Sequence, residues 1–202
     1  IGRYKWGYDR GEVGVIGGLV RYDAVLGFDA ALDVGTFDLH TELTVTQVTA
    51  KSLAAPAVED TDVPVLKGLV GATIRPVDRW TLVPELYWNG FGAWRPEDYL
   101  PVALSRRVTI GEQTGMGRLY AGLSTELELH PLWHLVGAQI LNVTDPSGLL
   151  LLGLTHNLAE NVEVYAGGYV PTGRLPNVGE FSLRSEYGNY PYFVFAELKG
   201  VI

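Results

Sequence analysis

Phe37-Asp38-Leu39-His40-Thr41-Glu42-Leu43-Thr44-Val45 carries Phe37, Leu39, Leu43 and Val45 at odd positions and Asp38, His40, Glu42 and Thr44 at even ones. Period two is the signature of a strand with one apolar and one polar face, because successive side chains leave a pleated backbone on opposite sides. The same pattern returns upstream, where Leu26, Phe28, Ala30 and Leu32 alternate with Gly27, Asp29, Ala31 and Asp33. Downstream, Leu119, Ala121, Leu123 and Leu127 alternate with Arg118, Tyr120, Gly122, Ser124, Glu126 and Glu128. Val162, Val164 and Ala166 alternate with Glu163, Tyr165 and Gly167.

Extended outward, this reading gives ten strands, near 13–21, 25–33, 37–47, 63–75, 80–90, 116–128, 133–143, 148–156, 162–171 and 190–202. Residues 13–33 read either as one long strand or as two joined by a tight turn near Tyr22-Asp23. Tyr4-Lys5-Trp6-Gly7-Tyr8 also alternates, so 1–12 reads as the remnant of a preceding strand. Most of these strands are longer than the roughly 5–6 residues usual in globular proteins and match the roughly 9–11 that cross a bilayer. In 133–143 two phases compete: either Leu135 and Leu141 face outward, or Val136, Ala138 and Ile140 do.

The connections sort by length. Short turns are expected at 34–36, 76–79, 129–132 and 157–161; the intervening connections are 48–62, 91–115, 144–147 and 172–189, three of them long. Alternation of tight turns with long loops is the habit of outer-membrane barrels. A hairpin repeat aligns Thr73–Leu82 with Glu126–Leu135, and puts Trp80 and Trp133 just beyond equivalent turns, where an interfacial aromatic girdle would lie.

Composition agrees with this reading. Apolar residues make up 47% and charged residues 19%, against roughly 25% charged in an ordinary soluble domain. With 25 Gly the chain suits turns and strands better than helices. A net charge of −8 and the lack of any basic run argue against a nucleic-acid partner. No apolar stretch approaches the roughly 18–20 residues of a spanning helix. There is no Cys, hence no disulfide framework or thiol chemistry. The chain begins at Ile1 rather than Met, and a processed or truncated product with residues ahead of Ile1 is expected.

The last segment, Tyr192-Phe193-Val194-Phe195-Ala196-Glu197-Leu198-Lys199-Gly200-Val201-Ile202, puts Tyr192, Val194, Ala196, Leu198 and Ile202 on one face. It resembles the C-terminal strand by which barrel-assembly machinery recognises porin-like outer-membrane proteins, although that family usually ends in an aromatic residue. Pro84-Glu85-Leu86-Tyr87-Trp88-Asn89-Gly90, followed by a long loop, is similar to tracts in porin-like proteins of Gram-negative bacteria. The resemblance implies an all-β, antiparallel up-and-down transmembrane β-barrel in the bacterial outer membrane, built as one domain over 1–202. The chain would form either the whole barrel or the C-terminal part of a larger one.

Chemistry-bearing motifs are scarce. Phosphate-loop and dinucleotide fingerprints are absent. His130 and His134 are four apart but straddle Pro131 at a turn, so no metal site is expected. His40 beside Glu42 lacks an identifiable hydroxyl nucleophile, and Asn142-Val143-Thr144 is a sequon at a strand end with no use in a bacterial barrel. Neither a catalytic residue nor a cofactor is expected.

The polar faces place Asp29, Asp33, Asp38, Glu42, Glu85, Glu126, Glu128, Glu163 and Glu197 with Lys67, Arg75, Arg118 and Lys199 as lumen-facing candidates. A wet lumen with this acidic excess would concentrate cations, and a narrow one would be plugged by ion pairs. Phe91, Trp94 and Tyr99 make the 91–115 loop a candidate contact surface for a sugar or a partner, a constriction, or a packed rim.

The leading expectation is a porin-like channel for small polar solutes with weak cation preference, embedded in outer-membrane lipid. A closed barrel serving as anchor or scaffold for an envelope protein partner or homo-oligomer is the second. A soluble lipocalin-like barrel, with the apolar face inward, is the third; alternation by itself does not tell inside from outside.

Overall fold

In the computed structural model, residues 1–49, 64–177, 179 and 182–200 are described. Most of the 48–62 connection, and Ile202 at the end of the last expected strand, lie outside the described residues.

The chain is all-β, and its described residues form eleven strands in one antiparallel sheet whose spatial order is the order of the sequence. They are β1 (Gly2–Tyr8), β2 (Gly11–Val20), β3 (Asp23–Asp33), β4 (Phe37–Gln47), β5 (Val65–Val77), β6 (Trp80–Asn89), β7 (Leu119–His130), β8 (Trp133–Asn142), β9 (Ser147–Ala159), β10 (Val162–Thr172) and β11 (Phe193–Gly200). From β2 to β10 the lengths run from 10 to 13 residues. Among the described residues β1 pairs with β2 alone and β11 with β10 alone, so the sheet is open. With eleven alternating strands, β1 and β11 point in the same direction.

The eleventh strand is β1, the segment that the sequence marked as a remnant. Residues 13–33 form two strands, β2 and β3, joined through Arg21 (φ 52°) and Tyr22 (φ 90°). Positive φ at both central residues is the geometry of the tight hairpin turn whose twist matches its flanking strands. Several strands run further than expected. β5 continues through Pro76 because a register irregularity between Ile74 and Val77 absorbs a residue that has no N–H to donate. β9 reaches Ala159, with a register shift where β10 begins. At the opposite end β11 starts at Phe193 rather than 190, since Tyr187–Asn189 is a single 3-10 turn.

The four turns expected to be short lie at one end of the sheet, together with the added Asp9-Arg10 turn. The 48–64, 90–118 and 173–192 connections leave from the other end, together with the tight 21–22 and 143–146 turns. The register fixes the phase left open in β8: Leu127↔Leu135↔Leu154 and Ala121↔Leu141↔Gly148 stay on one face. Val136, Ala138 and Ile140 belong to the other.

The apolar face is uncovered. Leu26 is 60% exposed, Val70 53%, Leu86 52%, Leu152 51% and Leu198 70%. Trp80 and Trp133 both sit on this face beside neighbouring turns. Trp80 donates Nε1–H to Thr125 Oγ1 at 2.9 Å, and the Trp133 ring stacks on His156 at 3.9 Å. The buried hydrophobic cluster lies off the sheet, in the 90–118 connection, where Ala93, Tyr99 and Val102 pack with Val108, Met116 and Leu183. Among the described residues no helix is long and apolar enough to cross a membrane.

Candidate functional site

The strand register places the nominated charged residues on one face, opposite the exposed leucines, with Arg118 as the exception. Asp38 pairs with Asp33 and Thr73, Glu42 with Asp29 and Leu69, and Thr44 with Lys67. Glu126 lies opposite Thr81 and Val136, Glu128 opposite His134, and Glu163 and Glu197 opposite Lys199 and Tyr165. Arg118 precedes β7: its Nε donates to Gly92 O at 2.9 Å, and its guanidinium lies over the Trp88 and Trp94 rings.

Glycines open gaps in this face that let charges meet across an intervening strand. His40 Nε2 and Glu85 Oε1 are 3.0 Å apart over Gly71, where a Cβ would come within 2.4 Å of the imidazole. Arg3 reaches Asp29 at 2.9 Å, and a Cβ at Gly14 would strike that carboxylate. Arg75 pairs with Asp38 at 3.0 Å, and Lys5 with Glu12. Asp33, Glu42, Glu126, Glu128, Glu163 and Glu197 have no ion-pair partner among the described residues, so the face keeps an acidic excess.

Two long connections fold onto this polar face. In the 90–118 segment, α1 (Tyr99–Ala103) and α2 (Arg106–Thr109) are single turns. Arg107, 4% exposed, donates Nη2–H to Asp23 Oδ2 at 2.5 Å, pairs also with Glu112, and lies 4.2 Å over the Phe91 ring. Asp23 opens β3, so this bond carries the β6–β7 connection across to a strand three places from β6. Of the three nominated loop aromatics, Phe91 and Tyr99 are buried within the fold and Trp94 is 53% exposed. Burial pushes the Tyr99 phenol up to about 12, and its oxygen accepts from Asn142 Nδ2 at 2.9 Å.

The second connection, 173–192, is joined to the first by Glu186. This carboxylate is 3% exposed and accepts from Tyr120 OH (2.7 Å), Asn142 Nδ2 (2.7 Å), Met116 N (3.0 Å) and Gly117 N (3.3 Å). Its own N–H donates to Asp145 Oδ2 at 2.6 Å. Burial raises the carboxyl above the ordinary range, partly offset by those donors. Asn89 and Asn142, both fully buried at the ends of β6 and β8, anchor the arrangement. Asn89 donates to Gly115 O and Gly117 O, and Asn142 to Glu186 and Tyr99. Among the described residues every buried side-chain polar atom has a partner.

Between these connections and the strands lies a recess of about 420 Å³, lined by Leu69, Glu85, Tyr87, Tyr120, Ile140, Leu149, Glu186, Tyr187 and Tyr190, with Thr114 and Gly115 at its loop side. Tyr87 and Tyr120 stand 6.1 Å apart between ring centres, and Tyr187 and Tyr190 5.5 Å apart. Glu85 is the nominated residue that enters the recess. Sequence reading missed Asp23, Asn89, Arg107, Asn142, Glu186, Tyr187 and Tyr190. A signal existed in Asn89 and Asn142, each ending an alternating strand, and in Glu186 set within Ser-Glu-Tyr-Gly-Asn-Tyr inside a long connection. Among the described residues no group of His, Asp and Glu is arranged to hold a metal ion, and His130 and His134 lie on either side of a turn. Comparison with protein-family models, curated proteins and solved structures finds no match to this chain.

Proposed function

We propose that this sheet is wall of a bacterial outer-membrane β-barrel, acting as a porin-like channel for small polar solutes with weak cation preference. The supporting observation is the apolar face, uncovered from one edge of the sheet to the other. Burying a Leu or Phe side chain is worth about 1.5–3 kcal/mol, and soluble monomers rarely leave contiguous apolar patches beyond a few hundred Å² in water. Lipid would cover that face, with Trp80 and Trp133 at one interface. The lipocalin-like alternative places the apolar face inward, whereas here the two long connections pack on the polar face.

The polar face would then line the bore, narrowed by the 90–118 and 173–192 connections, with its unpaired carboxylates drawing cations. Hydrocarbon tolerates no free strand edge. The barrel reading therefore requires β1 and β11 either to gain strand partners or to pair with each other in parallel.

Fractionation of cells with a heat-modifiability test in detergent examines the membrane claim. Recovery in the outer membrane with a gel shift on boiling supports it; recovery as a soluble protein without detergent overturns it. Conductance in planar bilayers, with a reversal potential under a KCl gradient, examines the channel. A second reading, a closed barrel serving as scaffold, is favoured by the complete bonding of Glu186 and Arg107 beneath the loops. It predicts membrane recovery with no conductance.

A further inference from the structure

We infer that the tyrosine-lined recess binds a small organic cation, of the size and chemistry of a primary or quaternary ammonium compound. This deepens the channel reading by naming a solute class; it rests on that reading for the route by which solute arrives.

Three features converge. Four tyrosines, Tyr87, Tyr120, Tyr187 and Tyr190, contribute to one recess, in two close pairs supplied by the sheet and by the 173–192 connection. Aromatic faces attract a cation through the ring quadrupole when it lies within about 6 Å of the centroid, most strongly when it is shed of water. Next, the lining holds two carboxylates, Glu85 and Glu186, and no Lys or Arg. A positive guest is therefore compensated and an anionic one is repelled. Finally, Leu69, Ile140 and Leu149 add apolar wall, which suits alkyl groups on nitrogen and gives nothing to a bare metal ion.

The two carboxylates differ in role. Glu186 already accepts four hydrogen bonds, so it fixes Tyr120 and the loops in place. Glu85 has a half-exposed side chain and one described partner, His40 on the neighbouring side. It is the group with lone pairs left to face the guest. At about 420 Å³ the recess falls inside the roughly 300–1,000 Å³ range of small-molecule sites. A sugar would also stack on tyrosine, but it leaves the two carboxylates without a counter-charge.

Isothermal titration of the purified full chain in detergent tests the assignment with three probes: choline, its uncharged isostere 3,3-dimethyl-1-butanol, and maltose. Choline is expected to bind, with the isostere weaker by about tenfold, the scale of one desolvated cation–π contact with its counter-charge. Glu85→Gln should weaken choline by a similar factor while leaving the heat-modifiable band intact, and Tyr187→Leu should weaken it also. Equal binding of choline and the isostere, preference for maltose, or no choline binding overturns the assignment. Calorimetry is read without conductance, so choline binding in a protein that passes no current would sink the channel and keep the site.

Discussion

The Glu186 carboxylate and the Tyr120 hydroxyl, 66 residues apart in the chain, lie 2.7 Å apart, both buried against the wall of the recess. That bond joins the β10–β11 connection to β7, and through Met116 and Gly117 to the β6–β7 connection. Glu186→Ala would leave the Tyr120 hydroxyl and the Met116 N–H without an acceptor, while Asn142 keeps Tyr99 and the Gly117 N–H keeps the Tyr120 hydroxyl. Each buried unsatisfied group costs about 1–3 kcal/mol, so the loops should undock while the strands stay paired. Hydrogen exchange resolves this: the Met116 amide should lose protection and those of β7 and β8 should keep theirs.

The same residue gives a pH dependence of known sign. Burial holds the folded carboxyl above the value it has when the loops are open. The docked state thus binds the proton more tightly. Its contribution is complete below the ordinary carboxylate pKa and is lost as pH rises through the raised folded value. Protection of the Met116 amide, corrected for intrinsic exchange, should fall across that window in the native chain and stay level in Glu186→Gln.

Arg107 and Asp23 form a buried ion pair with side chains 5% and 4% exposed. Removing one member of such a pair costs about 3–5 kcal/mol, because the other charge stays buried. Arg107→Met should destabilise loop docking by that order, and Arg107→Met with Asp23→Asn by less than the single change. In a channel, both variants should raise single-channel conductance; no rise in either would separate the 90–118 connection from the bore.

Gly71 separates His40 from Glu85. Gly71→Val drives a methyl-bearing Cβ into the imidazole and the Glu85 side chain. A loss of about 1–3 kcal/mol is expected from overpacking, read as a lower unfolding midpoint in urea. Gly7→Ala on β1 is the control: nothing lies within 4 Å of the added carbon, and the midpoint should hold.

Leu152 sits in mid-strand on the apolar face, 51% exposed. Arg at a lipid-facing barrel position near the midplane costs about 2–4 kcal/mol. The same change on a water-exposed strand face is nearly neutral. Folding of Leu152→Arg into lipid vesicles, compared with Ser124→Arg on the polar face, distinguishes the two settings.

Much of this was legible in the sequence, because strand identity and facing follow from period-two alternation alone. Leu26, Phe28, Leu39 and Leu43 lie where their spacing put them, and the equivalence of Trp80 and Trp133 survives as a shared face beside neighbouring turns. The phase of β8 was ambiguous because Val136, Ala138 and Ile140 are apolar on the polar face; the register to β7 decided it. β1 was short and its partner lay just ahead of the first strong alternation, so it read as a remnant. The recess was illegible for a different reason. Glu186, Tyr120 and Asn142 meet only after two connections fold back, and no periodicity encodes a contact between 186 and 120. The nominated face found Glu85 because Glu85 is on a strand.

Strand order equal to sequence order has a kinetic consequence. Each β-pairing joins chain neighbours, so hairpins can zip one after another with little loop-closure entropy at each step. The contacts Asp23–Arg107 and Tyr120–Glu186 close 84 and 66 residues respectively and depend on strands already in place. The sheet should therefore assemble first with its polar face vacant, and the two connections should descend onto it in a slower final phase.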